Sequence, residues 1–175
     1  MRLHVRGARI ELFVEARGQA ALVDPSWSFV APMNFTRAGH KAQRLSDGTV
    51  LVAGGETDSG GELIGGYVTN STETYDEVFD EWIFQGGMSW SRIEHAMVTQ
   101  PGITPPDGAA MVLGGNDGFG FVINAVETYN QEDGFWNFAA SLSDARSALT
   151  ATRLTDDRVL AAGGWGWGSW LGSSR

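Results

Sequence analysis

The chain reads as an all-β repeat fold, and three observations predict it. The first is internal repetition. Met33, Arg37, His40, the run Val50-Leu51-Val52-Ala53, Gly54-Gly55, Glu73-Thr74-Tyr75 and Trp82 return as Met88, Arg92, His95, Ala110-Met111-Val112-Leu113, Gly114-Gly115, Glu127-Thr128-Tyr129 and Trp136. A third copy starts with Leu142 and Arg146 and reaches Val159-Leu160-Ala161-Ala162-Gly163-Gly164. The arginines recur after 55 and then 54 positions, a period that indicates a propeller or a solenoid. The second observation is the length of the apolar runs: four residues bounded by turn residues suit a buried strand and are too short for a helix. The third is glycine. The 24 glycines recur between these runs, which marks short strands joined by tight turns rather than low complexity.

The elements follow in order. Met1 to Arg6 is basic, but charges continue through Glu15 and no apolar centre of a secretory signal follows, so the start reads as folded chain. Ile10-Glu11-Leu12-Phe13 matches Val126-Glu127-Thr128-Tyr129, and Trp27 lies 55 positions before Trp82, so residues 10–32 read as the third and fourth strands of an opening half unit. Two whole units follow, 33–87 and 88–141, then a closing half unit, 142–164, and a tail, 165–175, all within a single domain. In each unit the first strand follows the arginine: His40 to Leu45, His95 to Gln100, Ala148 to Leu154. Ser46-Asp47-Gly48 and Thr155-Asp156-Asp157 are hairpin turns in their chemistry. The apolar run into Gly-Gly is the second strand, and the tyrosine segments Thr72 to Asp76 and Val126 to Asn130 are the third. A fourth surrounds Trp82 and Trp136, each nine positions after its glutamate. Glu56 to Gly66 and Asn116 to Gly120 read as variable loops, and Pro101 to Asp107 as an insertion.

Composition narrows the function classes. Twelve basic against 21 acidic residues leave a net charge of −9, which disfavours nucleic acid and anionic membrane as partners. No apolar run approaches the roughly 20 residues of a membrane-spanning helix. Absence of cysteine removes disulfides, thiolate metal sites and cysteine nucleophiles, and with the missing signal it favours an intracellular location. Lys41 is the only lysine, so arginine carries nearly all the positive charge.

Gly-Gly after a short apolar strand, tyrosine on the next strand and tryptophan on the one after resemble the Kelch repeat, whose period is about 50 residues. The resemblance covers about Ile10 to Gly164, and Leu45-Ser46-Asp47-Gly48-Thr49-Val50-Leu51-Val52-Ala53-Gly54-Gly55 carries it most clearly. It implies a Kelch-type β-propeller, one four-stranded blade per repeat, with Gly54, Gly55, Tyr75, Trp82, Gly114, Gly115, Tyr129, Trp136, Gly163 and Gly164 as blade markers. Glycine lets neighbouring backbones approach, while Tyr and Trp fill the wedge between blades. Closed propellers have roughly four to eight blades, and this sequence encodes about three. Completion by another chain is therefore expected, either a second copy giving six blades or a subunit of a larger assembly; a fragment of a longer protein is the third possibility.

By the same resemblance, Arg37, Arg92 and Arg146 would line the mouth of the channel, where guanidinium forks suit carboxylates of an acidic partner. The alternative is that each pairs with a carboxylate of its own blade. His40 and His95 occupy equivalent places where the third copy has Leu149, which favours packing over metal ligation. Asp76-Glu77 and Asp80-Glu81 read as a solvated turn, not as a pair facing across a cleft. Asn34-Phe35-Thr36 and Asn70-Ser71-Thr72 match the glycosylation pattern without a secretion signal to support it. No nucleophile elbow or phosphate loop is present, and no cofactor or metal is read. The tail carries Trp165, Trp167 and Trp170 beyond the last Gly-Gly and is expected to bury them against a partner. The sequence thus points to a non-enzymatic protein–protein interaction or structural module. The alternative is a carbohydrate-binding or galactose-oxidase-like domain whose site another chain completes.

Overall fold

The structure, a computed structural model, describes residues 2–6, 9–16, 19–23, 29–58, 66–99, 110–167 and 169–170, with backbone alone for 2–23 and 169–170. The insertion Pro101 to Asp107, most of the loop Glu56 to Gly66, Trp27 and the side chain of Trp170 lie outside the described residues. Among the described residues the secondary structure is all strand, arranged in several antiparallel sheets. No helix is long and apolar enough to cross a membrane.

Contacts divide the chain into two compact units, Met1–Val30 and Ala31–Arg175. The first is a three-stranded sheet, β1 (Arg2–Arg6), β2 (Arg9–Ala16) and β3 (Gln19–Val23), in that order. The segment Ile10 to Phe13 is a strand, as its likeness to Val126–Tyr129 predicts. It is flanked on both sides, by β1 and by β3, so this sheet begins before Ile10.

The second unit repeats one plan. In the first copy, β4 (Arg37–Ala38) precedes β5 (Lys41–Arg44) and β6 (Val50–Ala53). Next come β7 (Glu56–Thr57), β8 (Tyr67–Val68), β9 (Thr72–Asp76) and β10 (Glu81–Gln85). The sheet order β10-β9-β6-β5 is a meander in which Val52 faces Glu73 and Val50 faces Tyr75. The second copy gives β11 (Ala96–Thr99), β12 (Ala110–Leu113), β13 (Ala125–Asn130) and β14 (Phe135–Ser141) in the same order, with Val112 facing Glu127. The third copy supplies β15 (Thr150–Arg153) and β16 (Val159–Ala162). First strands of successive copies are neighbours, β5 against β11 and β11 against β15.

Turn chemistry explains why these runs fold back. In Leu45–Thr49 the Asp47 carboxylate accepts the Thr49 amide at 2.9 Å, and Gly48 takes φ +97°. The third copy builds the same turn with Asp156 accepting from Arg158 and Asp157 at φ +65°. The acidic residues Asp76 and Asp80 also build a turn: Asp76 accepts from Val78, and Asp80 accepts from Ala31 and from the Tyr75 hydroxyl.

The core lies between sheets. Leu51, Ala53 and Met88 pack with Ala110, Val112, Tyr129 and Trp136, joining the first copy to the second. Ala96, Leu113 and Val126 pack with Leu149 and Ala161, joining the second to the third. The Tyr129 and Trp136 rings lie 5.3 Å apart, and burial pushes the Tyr129 hydroxyl up to about 12. The equivalent Tyr75–Trp82 pair, at 5.1 Å, is only half-buried.

Paired glycines permit the joints. Gly54 and Gly114 sit at φ +64° and +63°, and a Cβ on either would run into the carbonyl oxygen of the next copy's arginine, Arg92 or Arg146. That approach lets the Gly55 and Gly115 amides donate to those same carbonyls at 2.9 Å. Side chains that do not clash at Gly163 have no such neighbour: nothing lies within 4 Å of a Cβ there.

Candidate functional site

Each Gly-Gly releases the chain into a small secondary sheet at one end of the main one. In the first copy β4, β7 and β8 pair in the order β4-β7-β8, with Ala38 facing Glu56 and Glu56 facing Val68. In the second, Ile93 pairs with Asn116 and Asn116 with Val122. In the third, Ser147 pairs with Trp165, and β17 (Trp165–Gly166) pairs with β18 (Ser169–Trp170). The sequence sets the tryptophan tail outside the repeat. The structure instead makes its first turn the third copy's version of the same loop, with Ser147 and Trp165 exchanging backbone bonds at 2.9 Å.

These loops lie side by side. A Cβ on Gly118 would strike Val68, and Phe121 meets Trp167 edge to face at 5.9 Å. They carry aromatics in water: Trp90 is 54% exposed, Phe119 86%, Phe121 61% and Trp167 70%. Trp90 and Phe121 line a cleft of about 410 Å³ floored by Val122, Ile123 and Ala125, with Asp117 and Asn124 also lining it. Asp117 is pinned, because its Oδ1 accepts the Phe119 amide at 2.8 Å and the Phe121 amide at 3.0 Å.

The three arginines lie beneath this surface rather than on it. Arg37 Nη1 donates to Gly54 O and Ser71 O, both at 3.1 Å, and Nη2 meets Glu73 at 2.6 Å. Arg92 repeats this with Gly114 O, Ala125 O and Glu127. The side chains of both pairs have no exposed surface. The second oxygen of each glutamate accepts an amide from the segment leading to the arginine, Asn34 at 2.8 Å and Ser89 at 2.6 Å. Arg146, also buried, donates to Gly163 O at 3.1 Å and lies 3.6 Å from the exposed Asp144. Of the two sequence readings of these arginines, pairing within the copy is the geometry observed for Arg37 and Arg92. An outside carboxylate would have to displace Glu73 or Glu127.

His95 is fully buried, with its Cβ against Gly115 and its Cε1 against Gly54, and Leu149 fills the matching slot between Gly164 and Gly114. Neither His95 ring nitrogen has a hydrogen-bond partner. Burial, reinforced by Arg92, Lys41 and His40, pushes its pKa down to about 3. The sequon residues Asn34 and Asn70 use their amides internally, on Trp82 O and on Met88 O at 2.7 Å.

Sequence reasoning singles out Trp165, Trp167 and the Asn116–Gly120 loop but misses Trp90, Phe121 and Asn124. The available signal is aromatic residues after Gly-Gly in every copy: Tyr67, Phe119 and Phe121, then Trp165 and Trp167.

No family model matches the chain. It is 24% identical to Alpha-scruin of Limulus polyphemus over 127 residues, which is 71% of this chain and 13% of that protein. The solved structure of YjhT superposes with a TM-score of 0.63 at 13% identity, over 89% of this chain and 51% of that one. The chain therefore spans a small part of the first relative and about half of the second, and the second likeness is one of fold. Both fit a Kelch-type family.

Proposed function

We propose that this chain is a non-enzymatic interaction module, a partial Kelch-type propeller whose loop end docks another protein. The observation that carries the reading is the run of exposed aromatics Trp90, Phe119, Phe121 and Trp167 on abutting loops, since large apolar patches in water mark interaction surfaces. The copies act as three blades, two of them whole or nearly so, and the partner contributes the rest of the ring. That partner is a second copy, which gives six blades, or a subunit of a larger assembly. Arg37, Arg92 and Arg146 serve the surface from below by clamping the segments from which its loops spring.

Light scattering tests the reading, on the chain alone and on the particle isolated from cells that make it. The expected particle is heavier than the 18.8 kDa chain in at least one preparation. Phe119→Ser with Phe121→Ser should return it to chain mass while leaving thermal unfolding unchanged, because both rings already face water. A monomer in both preparations ends the proposal. Binding on a glycan array, lost in the same double variant, would favour the carbohydrate-binding alternative.

A further inference from the structure

The loop end has a sign of charge opposite to the one that a ring of open arginines would give it. Its three arginines are buried and committed to carbonyls and carboxylates. Glu56, Glu94 and Asp144 are exposed there, and Asp117 is partly exposed. The exposed cations Arg44 and Arg158 belong to the opposite, hairpin end of the sheets. Lys41, at the start of β5, is the exception among the described residues. The whole chain adds a field of net charge −9.

Within this acidic end, the cleft combines two aromatic side chains with one fixed carboxylate. Trp90 and Phe121 stand over an apolar floor, and the loop amides that hold Asp117 Oδ1 place its charge on the same lining. Aromatic faces attract cations through the ring quadrupole, and a carboxylate held in place adds a directional acceptor. A neutral ligand would gain contact area but nothing from the charge or the field.

We infer that the Trp90–Phe121 cleft receives a cationic side chain, arginine or lysine, from the partner protein. This rests on the loop end being a protein-docking surface and names the chemistry it selects. The partner's contacting segment is basic.

The test is an NMR titration with N-acetyl-Gly-Arg-Gly-amide against the same peptide carrying citrulline, a neutral isostere of arginine. The expected result is saturable shifts of the Trp90 indole N–H and the Asp117–Asn124 amides, with the arginine peptide roughly tenfold tighter. Raising the salt should weaken the arginine peptide alone. Asp117→Asn keeps an oxygen for the two loop amides, so it should preserve the fold and remove most of that preference. Trp90→Leu, which keeps apolar surface but no π face, should weaken binding several-fold. Equal affinity for the two peptides, binding of neither, or shifts produced only by a neutral sugar such as methyl galactoside would overturn the inference. If the peptides fail while Phe119→Ser with Phe121→Ser still dissociates the native particle, the docking reading stands and only the cationic selectivity falls.

Discussion

In the second copy, Arg92 is locked between Gly114 O, Ala125 O and Glu127; in the third, Arg146 reaches Gly163 O and an exposed Asp144 at 3.6 Å. Gly114 lies against Arg146 and Leu149, whereas Gly163 has nothing within 4 Å of its would-be Cβ. The same marker residues are present in both copies, and their physical roles differ. A glycine is a close approach only where another strand arrives, and an arginine is a buried ion pair only where a third strand brings its glutamate. The markers specify a neighbour, and their energetic worth depends on that neighbour's presence.

The strongest way to break this comparison is to remove each arginine. Arg92→Met strands Glu127 in a site with no exposed surface, and losing one partner of a buried pair costs about 3–5 kcal/mol. Arg146→Met gives up a backbone hydrogen bond and a pair with a surface carboxylate, for about 2 kcal/mol. Denaturant unfolding of both variants measures the gap. Equal losses would mean that the two copies are held alike.

The glycines sharpen the same point. Gly114→Ala must push a methyl group into the Arg146 carbonyl while adopting φ +63°, and overpacking plus left-handed strain costs about 3 kcal/mol. Gly163→Ala carries only the strain, about 1 kcal/mol. A thermal shift at least twice as large for the first variant is expected.

Histidine offers a pH test of the joint between the first two copies. The folded pKa of His95, about 3, lies below its usual 6.5, so the folded state resists protonation more than the unfolded state does. The stability that depends on neutral His95 is fully present above about pH 6.5. It falls by about 1.4 kcal/mol per unit as pH drops toward 3. His95→Leu copies Leu149, removes two buried nitrogens without partners, and should stabilise the fold by about 1–3 kcal/mol at neutral pH. The variant should also unfold less steeply with acid. An unchanged acid profile would place the sensitive group elsewhere.

How far these features are legible without coordinates depends on whether they are local. The runs 50–53, 110–113 and 159–162 are strands at the bounds their composition predicts, because turn residues close each one at once. The pairing of Arg37 with Glu73 is legible as a recurring spacing, but whether the guanidinium faces water or carboxylate depends on how β9 lies against β6. Trp165 looked foreign to the repeat because its counterparts are Glu56 and Asn116; only backbone pairing with Ser147 shows their equivalence. The cleft was beyond reach. Trp90 and Phe121 meet through the Ile93–Asn116 bridge, and neither side chain announces the other.

The smallest effect concerns a position where three copies share a backbone shape but not a residue. Gly39, Glu94 and Ala148 all take left-handed φ, at +65°, +55° and +54°. Glycine adopts that conformation without strain, whereas Glu94 is compensated, since its carboxylate accepts from Asn116 and Ser147 at 2.9 and 2.7 Å. Ala148 has only its methyl group, exposed, and its amide bond to Glu94 O at 2.9 Å. Ala148→Gly keeps that bond and relieves the strain, and the greater freedom of glycine in the unfolded chain takes back part of the gain. The net expectation is a stabilisation of about 0.5–1 kcal/mol by denaturant unfolding. Glu94→Gly should go the other way, because it removes the carboxylate that ties Asn116 to Ser147 across the joint. Stabilisation by both substitutions would show that the strain outweighs the network, and the joint between second and third copies would then rest on the packing around Leu149 alone.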